Sequence, residues 1–179
     1  MYSKVETEMY KKGAIILPIN EQAREALLAE VTGVSDDDLN KKPDEHSWSM
    51  KQVLEHLFLM EGAIVKTIED QLEHGEVVNA KARPIELTVD RTKKVNAPDY
   101  TVPSDEFATL DEMELKLEAS HQGLLKLTAN ADEIALKRKG FPHPVFGQMS
   151  LKQWIPFVGW HEKRHTLQII EIKEQLGLA

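Results

Sequence analysis

Residues 150–176 read SLKQWIPFVGWHEKRHTLQIIEIKEQL. Leu151, Trp154, Val158, His161, His165, Ile169, Ile172 and Leu176 recur at intervals of three and four. That is the spacing of a helix with one face turned to the core of a bundle. Ser150 stands three residues before Gln153, the pattern of a capping box that opens a helix, and Gly177 supplies a stop. Pro156 falls about one turn in, so a kink or a short first turn is expected there. Two of the core positions carry histidine. At about 100° per residue, positions i and i+4 lie only about 40° apart around the axis, so the two imidazoles stack one turn apart. Glu162, Lys163 and Arg164 are expected on the flank or the outer surface.

Three more helices follow the same logic. A first begins after Pro18 with Asn20 as N-cap and Glu21 in its first turn, and stops near Gly33. A short capped turn at residues 35–39 leads to Pro43. Ser49 and Gln52 form a second capping box, opening a helix that runs to His74 and Gly75. A third starts at Ser104-Asp105-Glu106 and runs to about Asn130. Between the second and third lies a long connection, residues 75–103, which carries Pro84, Pro98 and Pro103. Connections of that length are unusual in bundles, and they let consecutive helices run parallel. Lys139 to Gly147 is rich in helix breakers, and strand-like alternation is confined to residues 85–95. The fold class is therefore all-α, a four-helix bundle forming one domain over residues 1–179.

Composition narrows the function. The 179 residues are 41% hydrophobic and 29% charged, ordinary for a globular chain with a real core. With no cysteine, disulfides, thiolate ligands and a cysteine nucleophile are all excluded, and thiol chemistry needs an external thiol. A formal charge of −8 argues against a nucleic-acid partner. Met1 to Lys12 lacks a signal-peptide core, and residues 13–19 are too few to span a bilayer. A cytoplasmic protein without a membrane partner is expected.

Histidine placement points to a metal. Val53, Leu57, Met60, Ile64 and Ile68 line the second helix, and His56 sits among them. A lone core histidine is usually a hydrogen-bonded structural residue. Three on two helices match instead the three-imidazole centre with an open fourth position found in catalytic zinc sites. Imidazole also suits nickel, copper and iron. His121, near the Leu117 and Leu124 stripe, is expected to be a satisfied core residue, with a fourth metal ligand or a contact to one of the ligands as the alternatives. His143 is expected to shape a loop at the site's mouth, while His46 and His74 read as exposed. A di-iron carboxylate site needs two Glu-x-x-His pairs and two further glutamates. Glu118 with His121 and Glu162 with His165 have the spacing, but His56 stands where a second-helix glutamate belongs and Glu162 is placed at the stripe's edge. No general base is evident, since Glu55 and Glu162 point about 100° away from their histidine neighbours.

Trp48-Ser49, Val53-Leu54-Glu55-His56-Leu57, His143-Pro144-Val145-Phe146-Gly147, Trp154 and His161-Glu162-Lys163-Arg164-His165 together resemble the DinB/YfiT-like superfamily over residues 20–176. The resemblance implies a bundle in up-down-down-up order. It implies a divalent ion, zinc or nickel, held by His56, His161 and His165, and a homodimer packed through outer helix faces. It also implies a metal-dependent hydrolase or a thiol S-transferase acting on a small molecule, the thiol being of low molecular weight, such as bacillithiol. A bound M²⁺ lowers the pKa of water to about 7 and deprotonates a coordinated thiol. The competing expectation is a metal-binding or stress-response bundle without turnover.

Overall fold

The computed structural model describes residues 18–178. The N-terminal stretch, with its expected lack of a signal-peptide core, lies outside them. Four helices build the bundle: α1 (Pro18–Val31), α3 (Met50–His74), α4 (Leu110–Asn130) and α6 (Leu151–Leu176). Short helices α2 (Asp36–Asn40) and α5 (Glu133–Arg138) cap its connections. No described helix is long and apolar enough to cross a membrane.

The helix directions follow from the side chains that meet. Asn20 of α1 donates to the Ile155 carbonyl of α6, and Lys173 of α6 donates to Glu30 of α1, so these two run parallel. Glu61 of α3 meets Ser120 and His121 of α4. Residues 53–57 share a core cluster with Met113 and Leu117, and residues 64–68 share another with Leu124 and Leu127, so α3 and α4 are parallel too. The order is up-down-down-up. At Gly159, a Cβ would lie 3.0 Å from the Asn20 backbone, so a glycine permits the close approach of α1 to α6.

Several helix starts differ from expectation, each for a tertiary reason. Asn20 is no N-cap: it lies inside α1, buried, with its amide committed to Ile155. Ser104 does not open α4, because its backbone N–H and hydroxyl are bound to Glu55 and its carbonyl accepts from the buried Lys51. Asn40 grips both backbone groups of Ala108, which keeps this stretch out of a helix. The true start is the capping box of Thr109 and Glu112. The Ser49 and Gln52 box is present as read. At Ser150 only half a box forms, since Gln153 turns its amide to the Arg83 carbonyl. Helix α6 continues through Pro156 without interruption.

Residues 85–95 are not a strand. They hold a 3₁₀ turn, Ile85–Val89, and a second one follows at Asp99–Thr101. The strands lie in the breaker-rich segment: β1 (Gly140–His143) and β2 (Gly147–Ser150) form an antiparallel hairpin. Gly147, at φ +70°, supplies a backbone conformation that residues with a Cβ rarely adopt.

The apolar core forms two clusters. One gathers Ile64, Ile68, Leu124, Trp154 and Phe157; the other gathers Leu27, Val53, Leu117, Ile169 and Ile172. Between them lies a polar layer centred on Arg24. Its guanidinium reaches Glu61 of α3 at 3.1 Å, the Leu117 carbonyl of α4 at 2.8 Å and Glu162 of α6. One side chain of α1 thus ties all four bundle helices. Glu162 was expected on the flank or the outer surface, but it is only 2% exposed. Burial raises the Glu162 carboxyl, with Arg24 opposing, whereas the partners of Glu61 outweigh burial and hold its carboxyl below the usual range.

Removing one member of a buried ion network leaves charge uncompensated, at about 3–5 kcal/mol. Arg24→Ala is therefore expected to lower unfolding free energy by that amount in urea titrations of metal-free protein. A variant within about 1 kcal/mol of wild type would show that the network carries little of the fold.

Candidate metal centre

His56 comes from the first half of α3, and His161 and His165 from the middle of α6. Each is buried, at 2%, 9% and 8% exposure respectively. The three rings converge, with centroids 5.2 Å apart for His56 and His161, 4.9 Å for His56 and His165, and 4.5 Å for the α6 pair. One potential ligand nitrogen from each lies within 4.8 Å of the other two.

Two of the rings have their tautomers set by acceptors. His56 Nδ1 lies 2.8 Å from the Thr101 carbonyl oxygen, which can only accept, so Nδ1 carries the proton and Nε2 is bare. His165 Nδ1 lies 2.8 Å from Gln168 Oε1, and its Nε2 faces His161 Nε2 at 3.2 Å. Two nitrogens bound to one tetrahedral zinc at about 2.0–2.1 Å would stand about 3.3 Å apart, so the α6 pair already has a suitable spacing.

Electrostatics favour the same chemistry. Burial lowers His56, with the Thr101 carbonyl opposing. Burial first, then neighbouring His165 and His56, holds His161 well below the ordinary imidazole value. Burial likewise brings His165 to about 3. All three are neutral at pH 7, the state in which imidazole ligates a metal. The residues therefore fit a divalent ion.

Other candidates do different work. His121 is a satisfied core residue, with Nδ1 3.4 Å from Glu61 and Nε2 3.1 Å from Glu21. It does not join the histidine cluster. His143 ends β1, and its Nδ1 accepts from the N–H groups of Val145 and Phe146, fixing the hairpin turn. Its ring packs on Phe157, which in turn stacks against His161. His46 and His74 are exposed as expected. Trp154 is core, stacked on Phe141. The di-iron arrangement fails for a reason different from the one read in sequence. Glu162 is buried rather than peripheral, but Arg24 occupies the space between Glu61 and Glu162 as their counter-cation. Glu118 is exposed and bonds Gln122.

A small cavity of about 10 Å³, room for roughly one water, adjoins His161 and is bounded by Arg24, Glu61, Glu162, Leu57 and Val158. Glu55 is committed to Lys51 and Ser104, and Glu162 to Arg24, so neither offers a free carboxylate to the cluster. Sequence reasoning missed Thr101 and Gln168. Gln168 had a faint signal, lying three residues beyond His165 on the same face. Thr101 had none, because a backbone carbonyl carries no sequence signature.

Fold and site together define a four-helix bundle with parallel second and third long helices and a buried three-histidine cluster between α3 and α6. Residues 19–169 match the DinB superfamily, and the chain belongs to it. It is 33% identical over 163 residues to the uncharacterized protein YuaE of Bacillus subtilis, covering 91% of this chain and all of YuaE. TT2238, described as a four-helix bundle protein, superposes with a TM-score of 0.59 at 21% identity, covering 89% of this chain and 98% of its own. YfiT from Bacillus subtilis also gives 0.59, at 18% identity, covering 100% of this chain and 92% of its own. It is described as a probable metal-dependent hydrolase with an unusual four-helix bundle topology. At these identities the two structures speak for the fold.

His121 yields a test of the polar layer. Burial alone would lower its pKa, but the hydrogen bond and charge of Glu61 outweigh that and raise it. Its stabilising contribution is thus fully present below about pH 6.5, the unfolded-state value, and is lost as pH rises through the higher folded-state value. In urea unfolding of chelator-treated protein, the gap between wild type and His121→Gln should be widest in mild acid and narrow toward alkaline pH. A gap that widens with pH contradicts the pairing with Glu61.

Proposed function

We propose that this protein is a metal-dependent enzyme that activates a nucleophile against a small-molecule substrate, with His56, His161 and His165 as the ligands of a divalent ion. The observation that carries the reading is the convergence of three neutral, buried imidazoles, two with their outer nitrogens held by acceptors. Zinc or nickel fits this donor set. Three neutral ligands would leave a bound ion its full charge, and such an ion would make water acidic and deprotonate thiols. The description of YfiT as a probable metal-dependent hydrolase supports the hydrolytic form of this chemistry. Transfer of an exogenous low-molecular-weight thiol is the second form, and a chain without cysteine would have to draw that thiol from solution.

The chain's own residues prepare the site. Thr101 and Gln168 orient two ligands through Nδ1. Trp48, with its ring 5.1 Å from His56, and Phe157, 5.8 Å from His161, wall the cluster with aromatic surface and limit bulk water. Arg24 keeps the carboxylates of Glu61 and Glu162 engaged, so the cluster faces no competing anion from that side.

Metal analysis by mass spectrometry should find about one zinc or nickel ion per chain after loading and dialysis. His56→Ala, His161→Ala and His165→Ala should each lose it, because two imidazoles do not make a closed site. The loaded protein should then turn over members of an ester and amide panel, or consume thiol in the presence of an electrophile. Full occupancy without turnover in either panel rejects the enzyme; metal content unchanged in all three variants rejects the site.

A further inference from the structure

The connection between α3 and α4 is fastened to the histidine cluster at two places. Arg164, on the outer side of α6, donates to the backbone carbonyls of Thr88, Asp90 and Lys93 and so holds the middle of the connection against that helix. From the connection, Arg91 reaches back. Its Nε and Nη2 bind both oxygens of Glu171 at 2.8 and 2.7 Å, and its Nη1 lies 3.4 Å from Gln168 Oε1. The same Oε1 lies 2.8 Å from His165 Nδ1.

This sharing decides where the His165 proton sits. An arginine only donates, and an amide nitrogen does too. The Gln168 atom between Arg91 and His165 is therefore the oxygen. His165 Nδ1 must then be the donor, which leaves its Nε2 lone pair directed at His161. At the far end of the same connection the Thr101 carbonyl does the same for His56. One segment thus sets the tautomer of two of the three histidines, one directly and one through Arg91 and Gln168.

We propose that Gln168 and Arg91 are positioning residues for His165, and that residues 85–101 form a strap that presets the histidine cluster for an incoming divalent ion. The inference rests on the metal-binding reading above. Without Gln168 Oε1, the His165 ring loses the acceptor that selects its Nδ1–H form, and part of the population presents a protonated Nε2 to the ion. Removing such an outer partner weakens metal binding about 10- to 100-fold. Arg91 acts only through Gln168, so its loss should have a smaller effect.

The test measures zinc affinity by chelator competition, together with ¹⁵N spectra of the histidine rings in chelator-treated protein. Gln168→Leu should bind zinc about 10- to 100-fold more weakly. Gln168→Glu, which keeps an acceptor oxygen, should stay within about threefold of wild type. Arg91→Ala should weaken binding severalfold on its own and add nothing to Gln168→Leu, as expected of two residues in one chain of contacts. In the spectra, wild-type His165 should be the Nδ1–H tautomer and Gln168→Leu a mixture. Unchanged zinc affinity in Gln168→Leu, with zinc lost in His165→Ala, overturns the strap and leaves the metal site standing. Equal losses in Gln168→Glu and Gln168→Leu also overturn it, by assigning the effect to packing. A wild-type chain that takes up no ion removes the metal reading and the strap's role in it; its ring spectra still report whether Gln168 sets the tautomer.

Discussion

A single guanidinium holds this bundle together at its middle. Arg24 projects from α1 and meets a carboxylate on α3, a backbone carbonyl on α4 and a carboxylate on α6. Burying a charge is tolerable only when it is paired and its hydrogen-bonding capacity is met. Here the pairing fixes rotation and height of four helices at once, because the planar fork of an arginine accepts partners only in set directions. Apolar packing above and below would tolerate small slides of one helix on another; the fork does not.

The same layer contains two opposite electrostatic regimes. Around Arg24 the carboxyl groups are paired with a cation, Glu61 held below the usual carboxylate range by its partners and Glu162 raised by burial with Arg24 opposing. At His56, His161 and His165 the rings are neutral, with burial keeping protons off. His161 and Glu162 are consecutive, and the turn of about 100° between them sends one into the histidine cluster and the other into the charged network. An unpaired carboxylate facing the ligating nitrogens, unlike one that accepts from an outer Nδ1–H, would favour protonation of those nitrogens. By engaging Glu61 and Glu162, Arg24 protects the neutrality of its neighbours.

Much of this was legible in the sequence because it depends on local period. The stripe from Leu151 to Leu176 marks α6, the Ser49 box marks the start of α3, and the inward histidines at 56, 161 and 165 are the ones that converge. What escaped depends on distant partners. Ser104 has the composition of an N-cap, but Glu55 claims it, and the helix waits for Thr109. Glu162 has the composition of a surface residue, but it is buried because Arg24 is there to meet it. A charge on a helix reads as exposed unless its counter-ion is known, and that counter-ion lies in the first helix. The hairpin at residues 140–150 escaped because strands of four residues hold too few positions to display alternation.

The partnership of α1 with α6 carries a kinetic consequence. Arg24 and Glu61 are 37 residues apart, whereas Arg24 and Glu162 are 138 apart. Closing the longer loop costs about 1 kcal/mol more in chain entropy. The histidine cluster has the same dependence, since His56 must await the helix that carries the other two. Contacts of such wide sequence separation slow folding relative to a chain whose contacts are mostly local. During synthesis, α3 and α4 can pair early, but the charged middle stays open to water until α6 arrives and gives α1 its main packing face, so the central layer is the last part of the molecule to become dry.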